Sequence, residues 1–154
     1  MSTNKQVFSF EEVLAKLMRF CSYQERSEWE VSQKANAYGL AESEMDQLLS
    51  LLREENFINE MRFATVFVRG KVKVKKWGIY KLKQGLMAKG VKSSIVSEAL
   101  KSIDRDLYLE NLKELFQQKA SALGNSANDR AKIYRYLLSK GYESGLIMEA
   151  ISKG

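Results

Sequence analysis

The chain has 154 residues, of which 45% are hydrophobic and 29% are charged, and its formal net charge is +6. This composition is typical of a folded globular protein and does not favour disorder. Histidine is absent, which excludes Ser-His-Asp and Cys-His nucleophile pairs, an imidazole base and a His-containing zinc site.

The sequence carries no pattern typical of a membrane span or a secretory signal. No run approaches the roughly 18 apolar residues of a membrane span. The start "MSTNKQVFSFEEV" lacks the apolar core of a secretory signal. The single Cys21 cannot form an internal disulfide, and its helical spacing predicts that it lies in a core. We therefore expect a cytoplasmic protein.

The glycines do not form a phosphate-binding loop. All nine are scattered, and none belongs to a Walker-type or dinucleotide-binding pattern. Together with the absence of histidine, this removes much of ordinary enzyme chemistry, and we expect no metal site; a hydrolase that uses carboxylates remains an alternative.

Apolar residues return at three- and four-residue intervals along nearly the whole chain, which predicts helices. The first predicted helix is "FSFEEVLAKLMRFC", in which Val13, Leu17 and Cys21 share one face. The second is "SEWEVSQKANAYG", where Ser27 and Glu30 have the spacing of a capping box. The third is "ESEMDQLLSLLREE". Three helices therefore form the first predicted unit.

This three-helix unit recurs twice more. The glycines that end the second helix of each unit are Gly39, Gly90 and Gly141, at a constant interval of 51 residues. Apolar residues recur at the same interval in several columns: Val31, Leu82 and Ile133; Ala35, Leu86 and Leu137; Leu40, Val91 and Tyr142; Met45, Val96 and Ile147. Such recurrence predicts an all-α protein of three tandem three-helix repeats that form an elongated, curved helical rod. A single helical bundle is the alternative.

The predicted domains are residues 1–58, 59–103 and 104–154, and they differ in charge. The first holds 6 basic and 10 acidic side chains, the second 11 and 2, and the third 8 and 7. The whole positive excess therefore lies in the middle unit. Concentration of one sign predicts a contact surface for something anionic, either a phosphate backbone or an acidic protein groove.

The most basic stretch is "RGKVKVKKWGIYKLK", residues 69–83. Its Lys-Val alternation is strand-like, but the shift of 51 residues aligns "RGKVKVKK" with the end of a first helix. We therefore interpret it as the last turn of a helix and its exit, followed by the second helix of the unit. The side chains of Trp77 and Tyr80 could either stack on bases or pack in a core. We expect Trp77 to pack in a core, and Trp29 likewise.

The candidate contact residues share a positive charge and a place in the middle unit. They are Arg62, Arg69, Lys71, Lys73, Lys75, Lys76, Lys81, Lys83 and Lys89. Their predicted role is to neutralise charge along a polymer. The alternative is a basic helix pair that is merely solvated.

Three blocks, "ERSEWEV", "FINEMRFATVFVRG" and "WGIYKLKQGLMAKGV", occur in this order with family-like spacing. With them the chain resembles the RecX family of bacterial regulatory proteins over about residues 10–151. Nine residues of this chain match the family's motifs, and the spacing of most of them indicates a structural role. They are Arg62, Phe63, Ala64, Val68, Arg69, Gly78, Ile79, Leu82 and Gly90.

The resemblance implies a non-enzymatic regulator without a cofactor, which binds the RecA recombinase filament on DNA in its helical groove. It implies inhibition of ATP hydrolysis, strand exchange or filament growth in DNA repair, recombination and the SOS response. Repeated units suit a filament, because weak contacts to identical subunits add through avidity. A monomer is expected, with DNA contact through the second repeat, whereas the acidic first repeat faces basic filament surface or stays off the DNA. An independent helical nucleic-acid-binding protein and an adaptor for an unrelated acidic protein are the alternatives.

Overall fold

The computed structural model describes residues 8–154, and in this range the regular structure is helical. The α-helices are α1 (Phe10–Tyr23), α2 (Glu28–Ala37), α3 (Met45–Glu54), α4 (Glu60–Gly70), α5 (Ile79–Ala88), α6 (Ser93–Leu100), α7 (Arg105–Leu123), α8 (Ala127–Ser139) and α9 (Ser144–Lys153). A 3-10 turn (Glu42–Glu44) precedes α3, and a π turn (Lys71–Lys75) follows α4.

Side-chain caps fix where several helices begin. The Ser27 hydroxyl accepts from the Glu30 amide, and the Glu30 carboxylate accepts from the Ser27 amide. This reciprocal capping box satisfies two amides that have no partner within α2, and it confirms the sequence prediction. Ser9 and Glu12 form the same arrangement at the start of α1.

The repeating glycines end α2, α5 and α8 in the left-handed conformation. Gly39, Gly90 and Gly141 have φ angles of 85°, 77° and 99°. The residue after each glycine is buried, and its amide donates to a carbonyl five residues back. This is the Schellman arrangement, in which a glycine turns the chain so that the following residue enters the core. The three copies confirm the predicted interval.

Each three-helix repeat has a hydrophobic core of its own. Val31, Leu82 and Ile133, which share one column of the predicted repeat, are buried in the first, second and third core. Cys21 lies in the first core as predicted, and burial raises the pKa of its thiol to about 11. Three separate cores confirm tandem three-helix repeats and do not fit a single bundle.

The helices α1–α3 form the first repeat, α4–α6 the second and α7–α9 the third. Within residues 8–154, hydrogen bonds and ion pairs join the first repeat to the second and the second to the third, and none joins the first to the third. The bounds 1–58, 59–103 and 104–154 stay a prediction, and residues 1–7 lie outside the described part.

One of the two tryptophan predictions is wrong. Trp29 leaves 45% of its surface exposed and lies against the backbone of Gly90 between the first two repeats. Trp29 faces the second repeat. The spacing of apolar residues along a helix does not distinguish a residue that faces a neighbouring repeat from one that faces the core of its own repeat. Trp77 does pack against the second core, from a partly buried position.

Candidate partner-binding surface

The predicted contact residues lie on α4, on the π turn and on α5. The π turn begins after Gly70 and carries Val72 inward, where it is buried in the second core, while Lys73 and Lys75 remain exposed. The helical interpretation of this stretch is therefore confirmed, and the Lys-Val alternation does not form a strand. Because a π turn is wider than an α turn, it changes the direction of the side chains that follow α4.

The π turn closes with a residue of unusual conformation. The Lys76 amide donates to the Lys71 carbonyl, and the Lys76 backbone is left-handed with φ 56°. A non-glycine residue in this conformation needs support from its surroundings. That support comes from the third repeat, where the Tyr142 hydroxyl donates to the Lys76 carbonyl at 2.7 Å.

A second side chain of the third repeat holds the same turn. Asn111 of α7 is buried, and its Nδ2 donates to the Val72 carbonyl at 2.8 Å. A buried carbonyl without a partner is costly, so this amide stabilises the irregular turn. Neither Asn111 nor Tyr142 is among the sequence candidates. An isolated buried asparagine on an otherwise apolar helix face is the signal that points to such a role.

The start of α5 is also fixed by the third repeat. The Gly78 and Tyr80 amides donate to the carbonyls of Lys140 and Gly141 at 2.7 and 2.9 Å. The Ile79 amide donates to the Tyr108 hydroxyl at 2.9 Å. These contacts satisfy amides that have no partner within the first turn of α5. The whole segment from the π turn to α5 is thus positioned from outside its own repeat.

Two lysines lie close to the Trp77 ring. The ammonium groups of Lys71 and Lys81 lie 5.0 Å from the centre of the Trp77 ring, and the ring itself packs against Phe67. Cation–π attraction holds each lysine over the indole without neutralising its charge. The two charges therefore stay available to a partner.

A further lysine from the third repeat joins this group. The pKa of Lys140 lies below its ordinary value because the ammonium is partly buried and because Lys81, Lys75 and Lys76 are close to it. We call Lys71, Lys75, Lys76, Lys81 and Lys140 the basic surface. Four of these five lysines are predicted contact residues, and Lys140 is not. Lys140 could not be predicted from the sequence, because it lies in another repeat and the spacing of nearby residues does not show which repeats are in contact.

Two predicted contact residues instead connect the first and second repeats. Arg62 Nε donates to Glu25 Oε2 at 2.7 Å, and its Nη1 donates to Asn56 Oδ1 at 3.1 Å. Lys89 Nζ lies 2.9 Å from Glu30 Oε2. These cations are held by carboxylates of the first repeat. Their contact role stays a prediction, and their observed role is structural.

The remaining candidates, Arg69, Lys73 and Lys83, are exposed on the same elements. Among residues 8–154 they form no ion pair. The Lys83 ammonium lies 5.6 Å from the centre of the Tyr80 ring, which is 53% exposed. Over the described part of the chain, Lys76 is the one member of the basic surface in an ion pair, with Glu114 at 3.6 Å.

Residues 8–154 provide neither a metal-binding cluster nor a membrane-spanning helix. This range holds no group of three or more histidine, cysteine, aspartate or glutamate side chains placed to bind a metal ion. It also holds no helix that is both long and apolar enough to span a membrane.

Comparison with known proteins follows the repeat structure. The family model of the second three-helix domain of RecX matches residues 59–100, and that of the third three-helix domain matches residues 106–151. The crystal structure of RecX from Lactobacillus salivarius superposes with a TM-score of 0.84 at 24% identity, over 93% of this chain and 94% of that one. At that identity the superposition establishes the fold.

Curated relatives agree with the family models. The regulatory protein RecX of Clostridium botulinum (strain Eklund 17B / Type B) is 33% identical over 132 residues, which cover 83% of this chain and 61% of the relative. That of Prosthecochloris aestuarii is 26% identical over 140 residues, 91% of each chain. The chain spans about three fifths of the length of the clostridial relative (61%). With two RecX domain models matched in tandem and a shared fold, this chain belongs to the RecX family.

Proposed function

We propose that this protein is a non-enzymatic cytoplasmic regulator that binds the RecA–DNA filament and limits its ATPase, strand exchange or growth. Membership of a family of regulatory proteins supports the regulatory part. The basic surface supports the choice of an anionic partner.

The observation that carries the proposal is a group of like charges fixed by the fold. Partial burial lowers the pKa of Lys140, and the nearby Lys81, Lys75 and Lys76 lower it further. Lys71 and Lys81 both lie 5.0 Å from the centre of the Trp77 ring. Like charges at close range destabilise the folded chain, and a bound anion relieves that repulsion. Charge repulsion on this surface lowers the stability of the free protein, and a bound anion would restore it. Such a surface is typical of a partner-binding site.

The structure also fixes the position of these charges. The π turn and the start of α5 are held by hydrogen bonds from Asn111, Tyr142 and the carbonyls that follow α8. Less conformational freedom is therefore lost on binding than with lysines on a mobile loop. A filament presents many identical anionic sites, so moderate contacts per subunit suffice.

The test is a titration of single-strand-DNA-dependent RecA ATPase with the wild-type chain and with a charge-reversed variant. The variant carries Lys71→Glu, Lys75→Glu and Lys81→Glu, and it spares Lys76, whose backbone is left-handed. We expect half-inhibition to require about tenfold more variant, which corresponds to ~1.4 kcal/mol of lost binding free energy.

A matched control keeps the net charge of this variant. Lys101→Glu, Lys113→Glu and Lys153→Glu reverse three exposed lysines outside the basic surface. The control should inhibit as the wild type does. Unchanged inhibition by the folded Lys71, Lys75 and Lys81 variant would remove the basic surface from the mechanism, and absent inhibition by the wild type would contradict the proposed function.

A second candidate function is that of an independent nucleic-acid-binding protein. The observation in its favour is Tyr80, which is 53% exposed beside Lys83 and can stack on a base. This function requires tight binding of naked nucleic acid through the second repeat, with an affinity that falls as salt rises. Tight naked-DNA binding without ATPase inhibition would favour it over the filament regulator.

A further inference from the structure

The first repeat carries a groove of about 430 Å³ between α1, α2 and the loop that joins them. Its lining combines cations with aromatic rings: Lys16, Arg19, Phe20, Tyr23, Arg26, Lys34 and Tyr38. We call it the first-repeat groove. No carboxylate lines it, although residues 1–58 hold 10 acidic side chains and 6 basic ones. Four of the six cations of an acidic unit therefore meet at one place.

Aromatic rings hold these cations in position. The Arg26 guanidinium lies 3.8 Å from the centre of the Phe20 ring, and its Nε donates to the Phe20 carbonyl at 3.0 Å. The Lys34 ammonium lies 5.5 Å from the Phe20 ring and 5.8 Å from the Tyr38 ring. Within residues 8–154, none of the four cations forms an ion pair. Their charges stay available to an anion.

The groove also offers an aromatic ring to solvent. Tyr23, at the end of α1, is 83% exposed, the largest exposure among the large hydrophobic side chains of the described residues. An exposed ring costs free energy in water unless a partner covers it. A ring beside unpaired cations suits a ligand that combines a planar group with negative charge.

The same place in the second repeat also pairs a cation with an aromatic ring. A shift of 51 residues aligns Phe20 with Lys71 and Arg26 with Trp77. In the second repeat Lys71 lies over Trp77, and in the first Arg26 lies over Phe20. The cation and the ring have exchanged positions, yet the contact persists.

We propose that the first-repeat groove binds single-stranded nucleic acid. Arg19, Arg26 and Lys34 contact the phosphates, and the Tyr23 ring stacks on a base. Phosphates alternate with planar bases along one chain, which matches cations interleaved with rings. An acidic peptide supplies the charge but no flat ring for Tyr23. A duplex supplies phosphates but keeps its base faces stacked inside.

The experiment measures binding of the full chain, without recombinase, to a fluorescent oligonucleotide of about 20 thymidines and to a duplex of equal length. We expect Tyr23→Ala to weaken single-strand binding about fivefold or more, because stacking on an aromatic ring carries that much affinity. Tyr23→Phe should restore it, since the ring remains. Duplex binding should change less than about twofold, since the duplex base faces are stacked inside.

The charged residues are tested through the salt dependence. Arg19→Gln with Lys34→Gln should lower the slope of log affinity against log salt by about 1.4, the value expected for two phosphates of a single strand. The matched control Lys101→Gln with Lys113→Gln should leave the slope unchanged. Circular dichroism checks that each variant is folded, and the exposure of Tyr23 makes a fold defect unexpected there.

Three results would overturn the proposal. They are unchanged single-strand affinity in the Tyr23→Ala variant, an unchanged salt slope in the Arg19 and Lys34 variant, and tighter binding of a poly-glutamate peptide than of the oligonucleotide. Because recombinase is absent, failure here is distinct from failure of the proposed RecA regulation. The latter is decided by the ATPase titration with variants of the second repeat.

Discussion

The two junctions between repeats are built from different interactions. Between the first and second repeats, Arg62 pairs with Glu25 at 2.7 Å and Lys89 pairs with Glu30 at 2.9 Å. Between the second and third, backbone and buried groups dominate, with Gly78 against Gly141 at the centre. The first junction therefore depends on partly exposed charges, whereas the second depends on close backbone packing.

This difference indicates how the protein responds to its surroundings. Ion pairs near the surface weaken as salt rises, so the first junction should loosen at high ionic strength. Hydrogen bonds between buried groups are little affected by salt, so the second junction should hold. The basic surface lies at the second junction, and its lysines should keep their mutual positions over a wide range of salt.

The largest expected effect follows from adding a methyl group at the second junction. A Cβ at Gly78 would collide with the backbone of Gly141 and Tyr142. Gly78→Ala should lower the free energy of unfolding by about 3 kcal/mol, the upper end of the usual cost of overpacking. Urea denaturation measures this change. Gly70→Ala is the control, because among the described residues its added Cβ would meet no side chain of a non-adjacent residue and no backbone outside its own helix within 4 Å. A helical alanine there should stabilise by roughly 0.5–1 kcal/mol. Equal effects at the two glycines would contradict the packing described for this junction.

The next effect concerns the amide that holds the π turn. Asn111→Ala removes the donor to the Val72 carbonyl. We expect a loss of about 2 kcal/mol, because a buried carbonyl is left without a partner. Amide exchange of residues 71–76 should also become faster, since the π turn loses its support. A loss of stability without faster exchange in this segment would assign Asn111 a general packing role.

A smaller effect is expected at the first junction. Arg62→Gln removes the pairing with Glu25, and because 34% of the Arg62 side chain is exposed the loss should be near 1 kcal/mol, as roughly expected for a pair close to the surface. The loss should shrink between roughly 0.05 and 0.5 M salt. A double-mutant cycle with Glu25→Gln isolates the pair. A coupling free energy that does not change with salt would contradict the electrostatic character of this junction.

The smallest effect is a change with pH at Glu60, which accepts the Glu28 amide across the first junction. Partial burial, together with Glu28 and Glu30, raises the pKa of Glu60, while the Glu28 amide and Arg53 act in the opposite direction. The folded protein therefore favours the protonated form of Glu60 more than the unfolded chain does. The stability that comes from protonating Glu60 is fully present below the ordinary pKa of 4.5, and it is lost as pH rises through the folded pKa.

Glu60→Gln keeps the acceptor and removes this titration. The difference in the free energy of unfolding, variant minus wild type, should therefore be more positive at about pH 7 than at about pH 4. Urea denaturation at the two pH values measures the change. An equal difference in stability at both would show that the carboxylate of Glu60 does not titrate in this way.

Much of the fold follows from the sequence because each repeat uses local rules. A glycine in a left-handed turn and an apolar column every 51 residues predict Gly39, Gly90 and Gly141 as helix ends. These features depend on residues close in the chain. The capping box of α2 is also local, since Ser27 and Glu30 lie one turn apart.

The parts that were not predicted depend on contacts between repeats. Lys140 joins the basic surface through proximity to lysines about sixty residues earlier, and Asn111 holds a carbonyl 39 residues away. The sequence pattern predicts Trp29 in a core, whereas in the structure it lies at the junction of the first two repeats. The first-repeat groove was not predicted, because the net charge of residues 1–58 is negative. Its four cations are separated in the sequence and lie close together only in the folded repeat.

The most direct test of the central claim is amide hydrogen exchange of this protein, free and bound to a RecA filament on single-stranded DNA. We predict added protection in residues 71–83, which carry most of the basic surface, and around Lys140. Filament binding that protects other helices and leaves residues 71–83 and Lys140 unchanged would contradict it.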